Sequence, residues 1–192
     1  MKVVIQSHDP AWIDEFNRVQ KELQSTLEGI PIVAIEHIGS TSIPGLVAKP
    51  VIDIAIITAE ENIQAASDAL VKAGYTALGI MGIPGRWAFR QPGYQAGDNP
   101  NGSWVIGGEI RRNTYVTIDG YISIRNPMDL KKTLLANEEL RHEYGEVKKR
   151  LIEGGVKNVD EYCVGKTEVI IKILTKAGWN EKDLAVVREA NR

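Results

Sequence analysis

Asp53 stands where a carboxylate is hardest to explain. Val51, Ile52, Ile54, Ile56 and Ile57 surround it as a near-continuous apolar run, the pattern of a strand covered on both faces. Burying a carboxylate there is costly unless a metal, a cation or several donors meet it. Upstream, Gly39 allows a backbone conformation closed to other residues, and Ser40, Thr41 and Ser42 offer hydroxyls and N–H groups. Such a turn cradles phosphate oxygens. A phosphate in the turn and a metal on Asp53 would be neighbours, which is the chemistry of a nucleotide's phosphates.

Basic side chains that could serve the same cleft are spread along the chain. Lys49 lies four residues before Asp53, Arg86 and Arg90 share a strand face, and Arg111, Arg112 and Arg125 flank Asn113. Guanidinium forks suit polyphosphate oxygens, although most surface arginines are solvated or paired. Lys49 and Arg90 are the first choices from their place relative to the turn. Tyr144 and Lys148 are four residues apart, as are Tyr162 and Lys166. Each lysine lies on or beside an inward helix face, where it either snorkels to water or reaches a phosphate. Strand alternation puts Asn113, Tyr115, Thr117 and Asp119 on one face. His37 adjoins the turn and either orients Ser40 or is held by a hydrogen bond of its own. His8 and His142 lack partners at metal-ligand spacing.

The elements that must position these groups alternate along the chain. A short strand is expected at Lys2 to Ile5, then a helix capped by Asp9 with Pro10 at its start. Its core stripe is Trp12, Phe16, Val19, Leu23 and Leu27. Val33 to Ile38 and Val51 to Ile57 read as strands, and Ala59 to Ala73 as a helix stopped by Gly74. Thr76 to Ile80 and Arg86 to Arg90 form an expected hairpin. Gln91 to Ser103 is dense in Gly, Pro, Asn and Asp and reads as a loop, either a lid or slack. Strands are expected at Trp104 to Ile110 and Arg112 to Ile118. The last third is helical: Pro127 to Asn137, Glu138 to Glu153, and a final helix carrying Tyr162, Lys166, Val169, Ile170, Ile173 and Leu174. Asn180 to Arg192 is either a terminal helix or a frayed tail.

A hydrophobic residue, Gly39-Ser40, twelve intervening residues and then Asp53-Ile54-Ala55-Ile56 resemble the core signature of the nucleotidyltransferase superfamily, the polymerase β-like fold. That signature has a second carboxylate two residues after the first, where this chain has Ala55. On SHDPAWIDEF (Ser7 to Phe16), IEHIGSTSIPGLVAKPVIDI (Ile35 to Ile54), NTYV (Asn113 to Val116), IRNPMDLKKTL (Ile124 to Leu134) and ELRHEYGEVK (Glu139 to Lys148), the chain is identified as a member of the GrpB family. The resemblance implies an α+β fold, a nucleotidyltransferase-like mixed sheet flanked by helices, with Val33 to Ile38 beside Val51 to Ile57 and C-terminal helices closing the cleft. It also implies transfer of a nucleotidyl group from a nucleoside triphosphate, most simply ATP, to an unknown acceptor. Asp53 would hold Mg²⁺, and Glu36, Glu109 or Asp119 would have to supply the missing carboxylate. Two alternatives stand beside it. One is a nucleotide- or phosphometabolite-binding module without turnover; the other is a structural Asp53 paired with Lys49 or an arginine.

Composition bounds these readings. At 192 residues the chain suits a single domain spanning 1–192. A net charge of −2 argues against a dedicated nucleic-acid binder. Cys163 is the sole cysteine, so no disulfide framework forms, which suits a reducing cytoplasm. No apolar run approaches membrane-spanning length and the start lacks a signal-peptide pattern. The expected partner is a small nucleotide or phosphometabolite in the cytoplasm, and oligomeric state is not encoded legibly.

Overall fold

The computed structural model describes residues 3–95 and 109–190. Helix α1 (Ala11–Thr26) leads into strand β1 (Ala34–Ile38), a single 3-10 turn at 40–42, and β2 (Ile52–Thr58). Helix α2 (Ile63–Lys72) and strands β3 (Thr76–Gly79), β4 (Arg86–Arg90) and β5 (Arg112–Ile118) follow. Five helices then run to the C-terminus: α3 (Ile122–Ala136), α4 (Glu138–Glu153), α5 (Val159–Gly165), α6 (Thr167–Lys176) and α7 (Glu181–Ala190). The strands form one mixed sheet in the order β1-β2-β5-β4-β3. Only β2 and β5 run parallel; the other neighbours are antiparallel. The α+β expectation and the adjacency of the first two strands are both observed.

Alternation along β2 explains why its sequence is apolar throughout. Ile52, Ile54 and Ile56 are fully buried on one face with Val116 and Phe89, under Trp12, Phe16, Val19 and Leu23 of α1 and Ala66 and Leu70 of α2. Each such isoleucine contributes roughly 1.5–3 kcal/mol of burial. Ala55 and Ile57 point the other way and pack with Ile38 and with Ile124 of α3. Beyond that layer, α3, α4, α6 and α7 share a second core of Leu130, Leu134, Tyr144, Ile173, Leu174 and Leu184. Asp53 lies on the face of Ala55 and Ile57, the one turned toward the C-terminal helices.

Several local expectations are corrected. Of the strand expected at Lys2 to Ile5, the described residues 3–5 form none, and a lone bridge joins Gln6 to Ala48 instead. Asp9 does cap α1, its Oδ1 accepting the Ala11 N–H at 2.9 Å. The first turn of the Ala59 to Ala73 segment is a 3-10 turn, and α2 proper begins at Ile63. Helix α3 starts at Ile122, so Pro127 sits inside it rather than at its head. The final helix is broken at Lys166 into α5 and α6, and α7 orders most of the terminal segment. Residues 96–108, which hold most of the expected loop and of the Trp104 to Ile110 strand, lie outside the described residues. No helix among the described residues is long and apolar enough to cross a membrane.

His37 belongs to this scaffold. Its ring stacks on Phe16 with centroids 4.9 Å apart, its Nε2 meets Thr41 Oγ1 at 3.0 Å, and its carbonyl accepts Lys131 Nζ at 2.7 Å. Burial, with the positive charge of Lys131 and then of His8, pushes the imidazole down to about 3. The unfolded chain therefore binds one more proton than the folded chain between that value and the ordinary histidine value of about 6.5. This contribution is complete above the upper value and is lost as pH falls through the window, with a limiting slope of about 1.4 kcal/mol per pH unit. Urea unfolding from pH 7.5 to 4.5 should show that loss in the native chain and a shallower one in His37→Gln. Equal slopes would remove His37 from the account.

Candidate functional site

Asp53 is held from both sides by the neighbouring strands. Register sets it opposite Ile38 in β1 and Asn113 in β5. Asn113 Nδ2 donates to Asp53 Oδ1 at 2.9 Å. The other carboxylate oxygen lies against Gly39, which adopts φ 70° and ψ −175°, a region essentially reserved for glycine. A Cβ at Gly39 would collide with Asp53 Oδ2. The Gly-Ser turn and the strand aspartate are thus one packed unit. Tyr115, on the same face as Asn113, has its phenol pushed well above the ordinary value by burial and by the charge of Asp53.

The hydroxyls of the turn divide into two sets. Ser42 Oγ donates to the Gly39 carbonyl at 2.6 Å, and Thr41 Oγ1 donates to the Val51 carbonyl at 3.3 Å. Both side chains are buried and stabilise the turn itself. Ser40 faces the other way and accepts Lys148 Nζ at 2.7 Å.

Three lysines meet behind and beside this turn. Lys148, only 1% exposed, also donates to the Val47 carbonyl at 2.9 Å and lies 4.2 Å from the centroid of the Tyr144 ring. Lys166 lies 4.5 Å over the Tyr162 ring, and Lys49 approaches the same ring at 5.9 Å. The four-residue Tyr–Lys spacing therefore seats each ammonium on the ring one turn before it. Burial lowers all three lysines, most severely Lys148, and Lys166 depresses both of the others by like charge. Asp53 partly opposes the shift at Lys49 and Lys166, yet forms no ion pair within 4 Å among the described residues. Burial also pushes the Asp53 carboxyl up, against the Asn113 hydrogen bond and the charges of Lys49, Lys166 and Arg86.

These groups enclose a cavity of about 330 Å³ whose wall includes Gly39, Ser40, Thr41, Lys49, Asp53, Asn113, Tyr115 and Lys166. Lys148 supports it from beneath Ser40. Arg90 stands across from Asn113 in register but is not among the residues described around the cavity. Arg86 is likewise outside that wall, but its guanidinium lies 4.6 Å from the Tyr115 ring and its charge acts on Asp53. Sequence reasoning placed Arg86 and Arg90 on one face and preferred Arg90; the side chain that reaches the Tyr115 ring is that of Arg86. Cys163 and Tyr162 also line the cavity; Tyr–Lys spacing was the signal for the latter. Arg112 turns to the opposite face and bonds Glu109 at 2.9 Å, Arg125 pairs with Asp183 on the surface, and Arg111 lies over the Tyr94 ring.

None of the three substitute carboxylates fills the gap left by Ala55. Glu36 is opposite Ala55 in β1 but is not described around the cavity, Glu109 is bound to Arg112, and Asp119 is exposed past the end of β5. Among the described residues no group of three His, Cys, Asp or Glu side chains could share a metal ion. One carboxylate among several cations does not fit the magnesium pair of a two-metal site, which needs more anionic ligands.

Comparison with known proteins agrees with this architecture. A family model described as GrpB protein matches residues 2–176. A UPF0157 protein of Streptomyces coelicolor is 29% identical over 182 residues, 93% of this chain and 86% of the relative. The crystal structure of GrpB from Enterococcus faecalis superposes with a TM-score of 0.72 at 24% identity, covering 92% of this chain and all of the other. A more distant likeness, TM-score 0.43 at 12% identity over 74% of this chain and 43% of the other, is to the poly(U) polymerase Cid1. Matched from its second residue through α6, the chain belongs to the GrpB family.

Proposed function

We propose that this cleft binds a phosphate-bearing small molecule of the nucleotide or phosphometabolite class. The observation that supports the reading is the meeting of Lys49 and Lys166 at one cavity, with Lys148 beneath its Ser40, and no carboxylate within 4 Å of the three among the described residues. Lys49 and Lys166 would contact the anion directly, and Lys148 would hold Ser40 and add charge from below. A phosphate entering the cavity would supply the counter-ion that the described residues do not, and raise the lysines back toward their ordinary values. Asp53 would keep Asn113 oriented and offer an oxygen to a ligand hydroxyl.

A second reading, nucleotidyl transfer from ATP or another nucleoside triphosphate to an acceptor, is favoured by the contact between Gly39 and Asp53. The acceptor oxygen would attack the α-phosphorus while the bond to pyrophosphate breaks, and the lysines would stabilise the departing pyrophosphate. No step is assigned to magnesium, because the residues do not fit the metal pair.

Calorimetric titration with pyrophosphate and nucleoside triphosphates separates the readings. Binding should persist in EDTA, survive Asp53→Asn, and weaken about 10- to 100-fold in Lys166→Met, the loss expected for one charged hydrogen bond. Loss in both EDTA and Asp53→Asn would favour transfer, and no binding under any condition would sink both readings. Affinity should also fall with rising pH earlier than ordinary lysines allow, because the anion requires the charged form and burial lowers all three groups. An affinity flat to pH 10 would contradict this. Gly39→Ala should cost about 1–3 kcal/mol in urea unfolding from backbone strain alone and weaken anion binding by shifting the turn that carries Ser40. A variant with native stability and affinity would show that the turn is not so constrained.

A further inference from the structure

A second cavity, of about 520 Å³, opens on the other side of Asp53. Gly39, Asp53, Tyr115, Leu130 and Tyr144 line both spaces, so the two meet along a shared wall. Their chemistry differs. The second wall is mostly apolar, drawn from Ile83 and Pro84 in the β3–β4 turn, Ile122 of α3, Ile170 of α6, and Val186 and Val187 of α7. Val186 is 46% exposed, so apolar surface here is left to water. Arg86 stands over the Tyr115 ring, and its buried Nε has no hydrogen-bond acceptor among the described residues.

We propose that the ligand is bipartite: a phosphate seated among the lysines, linked to an apolar body that occupies this second cavity. The inference rests on the anion reading above and deepens it. A hydrophilic phosphorylated sugar or a bare polyphosphate would leave the apolar wall wet, whereas an apolar body removes both its own surface and that of Ile83, Ile122 and Val186 from water. Arg86 lies where the link between the two parts would pass and offers it a free N–H. The apolar body is either a flat ring, stacking beside the Arg86–Tyr115 pair, or an aliphatic chain running toward α7. Both share the chemistry of an apolar phosphate ester.

Calorimetric titration with inorganic phosphate, 1-naphthyl phosphate and octyl phosphate tests this, using the full chain. At least one ester should bind tenfold or more tightly than inorganic phosphate, the naphthyl ester identifying a ring and the octyl ester a chain. Ile83→Asn and Val186→Asn, on separate walls and neither fully buried, should each shrink that ester-to-phosphate ratio at least threefold. Far-ultraviolet circular dichroism would confirm that each variant is folded. Esters no tighter than phosphate, or a ratio unmoved in both folded variants, would overturn the inference while leaving the anion reading intact. Failure of phosphate, pyrophosphate and both esters to bind would overturn the anion reading and this inference with it.

Discussion

The structure turns on the accommodation of one carboxylate in a buried strand. Asp53 has an amide donor from β5 on one side and, on the other, the glycine of the turn that follows β1. A carboxylate without such neighbours would break the apolar packing of β2. The pairing of β1 with β2 and of β2 with β5 is thereby tied to chemistry as well as to burial. A one-residue slip would carry Asp53 to the face packed under α1 and α2, among Ile52, Ile54 and Phe89, where no donor is described.

The lysines carry the opposite imbalance. Each ammonium that leaves water loses hydration, and a tyrosine face returns about 0.5–2 kcal/mol of it. Lys148 recovers more through two hydrogen bonds, whereas among the described residues Lys49 and Lys166 have the Tyr162 ring and the more distant Asp53. Like-charge repulsion from Lys166 on both of the others adds to the deficit. Proteins that need only a filled core use leucine in such places. Cations there with no ion-pair partner among the described residues are what the proposed reading requires, the counter-ion then arriving from solution.

The sequence made the chemistry of the site more legible than its boundaries. Gly39 and Asp53 were readable because each violates a local rule: a glycine where a strand ends, and a charge inside an apolar run. Lys148 and Lys166 were readable because a four-residue step on a helix fixes which ring lies beneath which ammonium. Thr41 and Ser42 looked like phosphate donors because hydroxyl content says nothing of direction; both are consumed by the turn. Pro127 was read as a helix start because proline favours that position, yet α3 gains enough from Ile124, Leu130 and Leu134 to run through it. The break at Lys166 has no glycine or proline at the break itself to announce it, and Gly165 next to it packs where a Cβ would strike Leu151. The second cavity was invisible because its walls come from strands, turns and helices far apart in the sequence.

Ala55 takes on a different meaning once α3 is in place. Two residues beyond Asp53 on the same face, it is fully buried against Ile38, Ile57 and Ile124. A carboxylate there would be sealed under α3 rather than presented to a metal beside Asp53. The absence of a second acidic residue is therefore built into the packing of the helical layer on the sheet, and restoring one would require α3 to move. The same helix supplies Ile122 and Leu130 to the apolar cavity. Closing the sheet with α3 thus removes the setting for a metal pair and creates the apolar wall in one stroke, leaving the lysines as the main charge available to a phosphate.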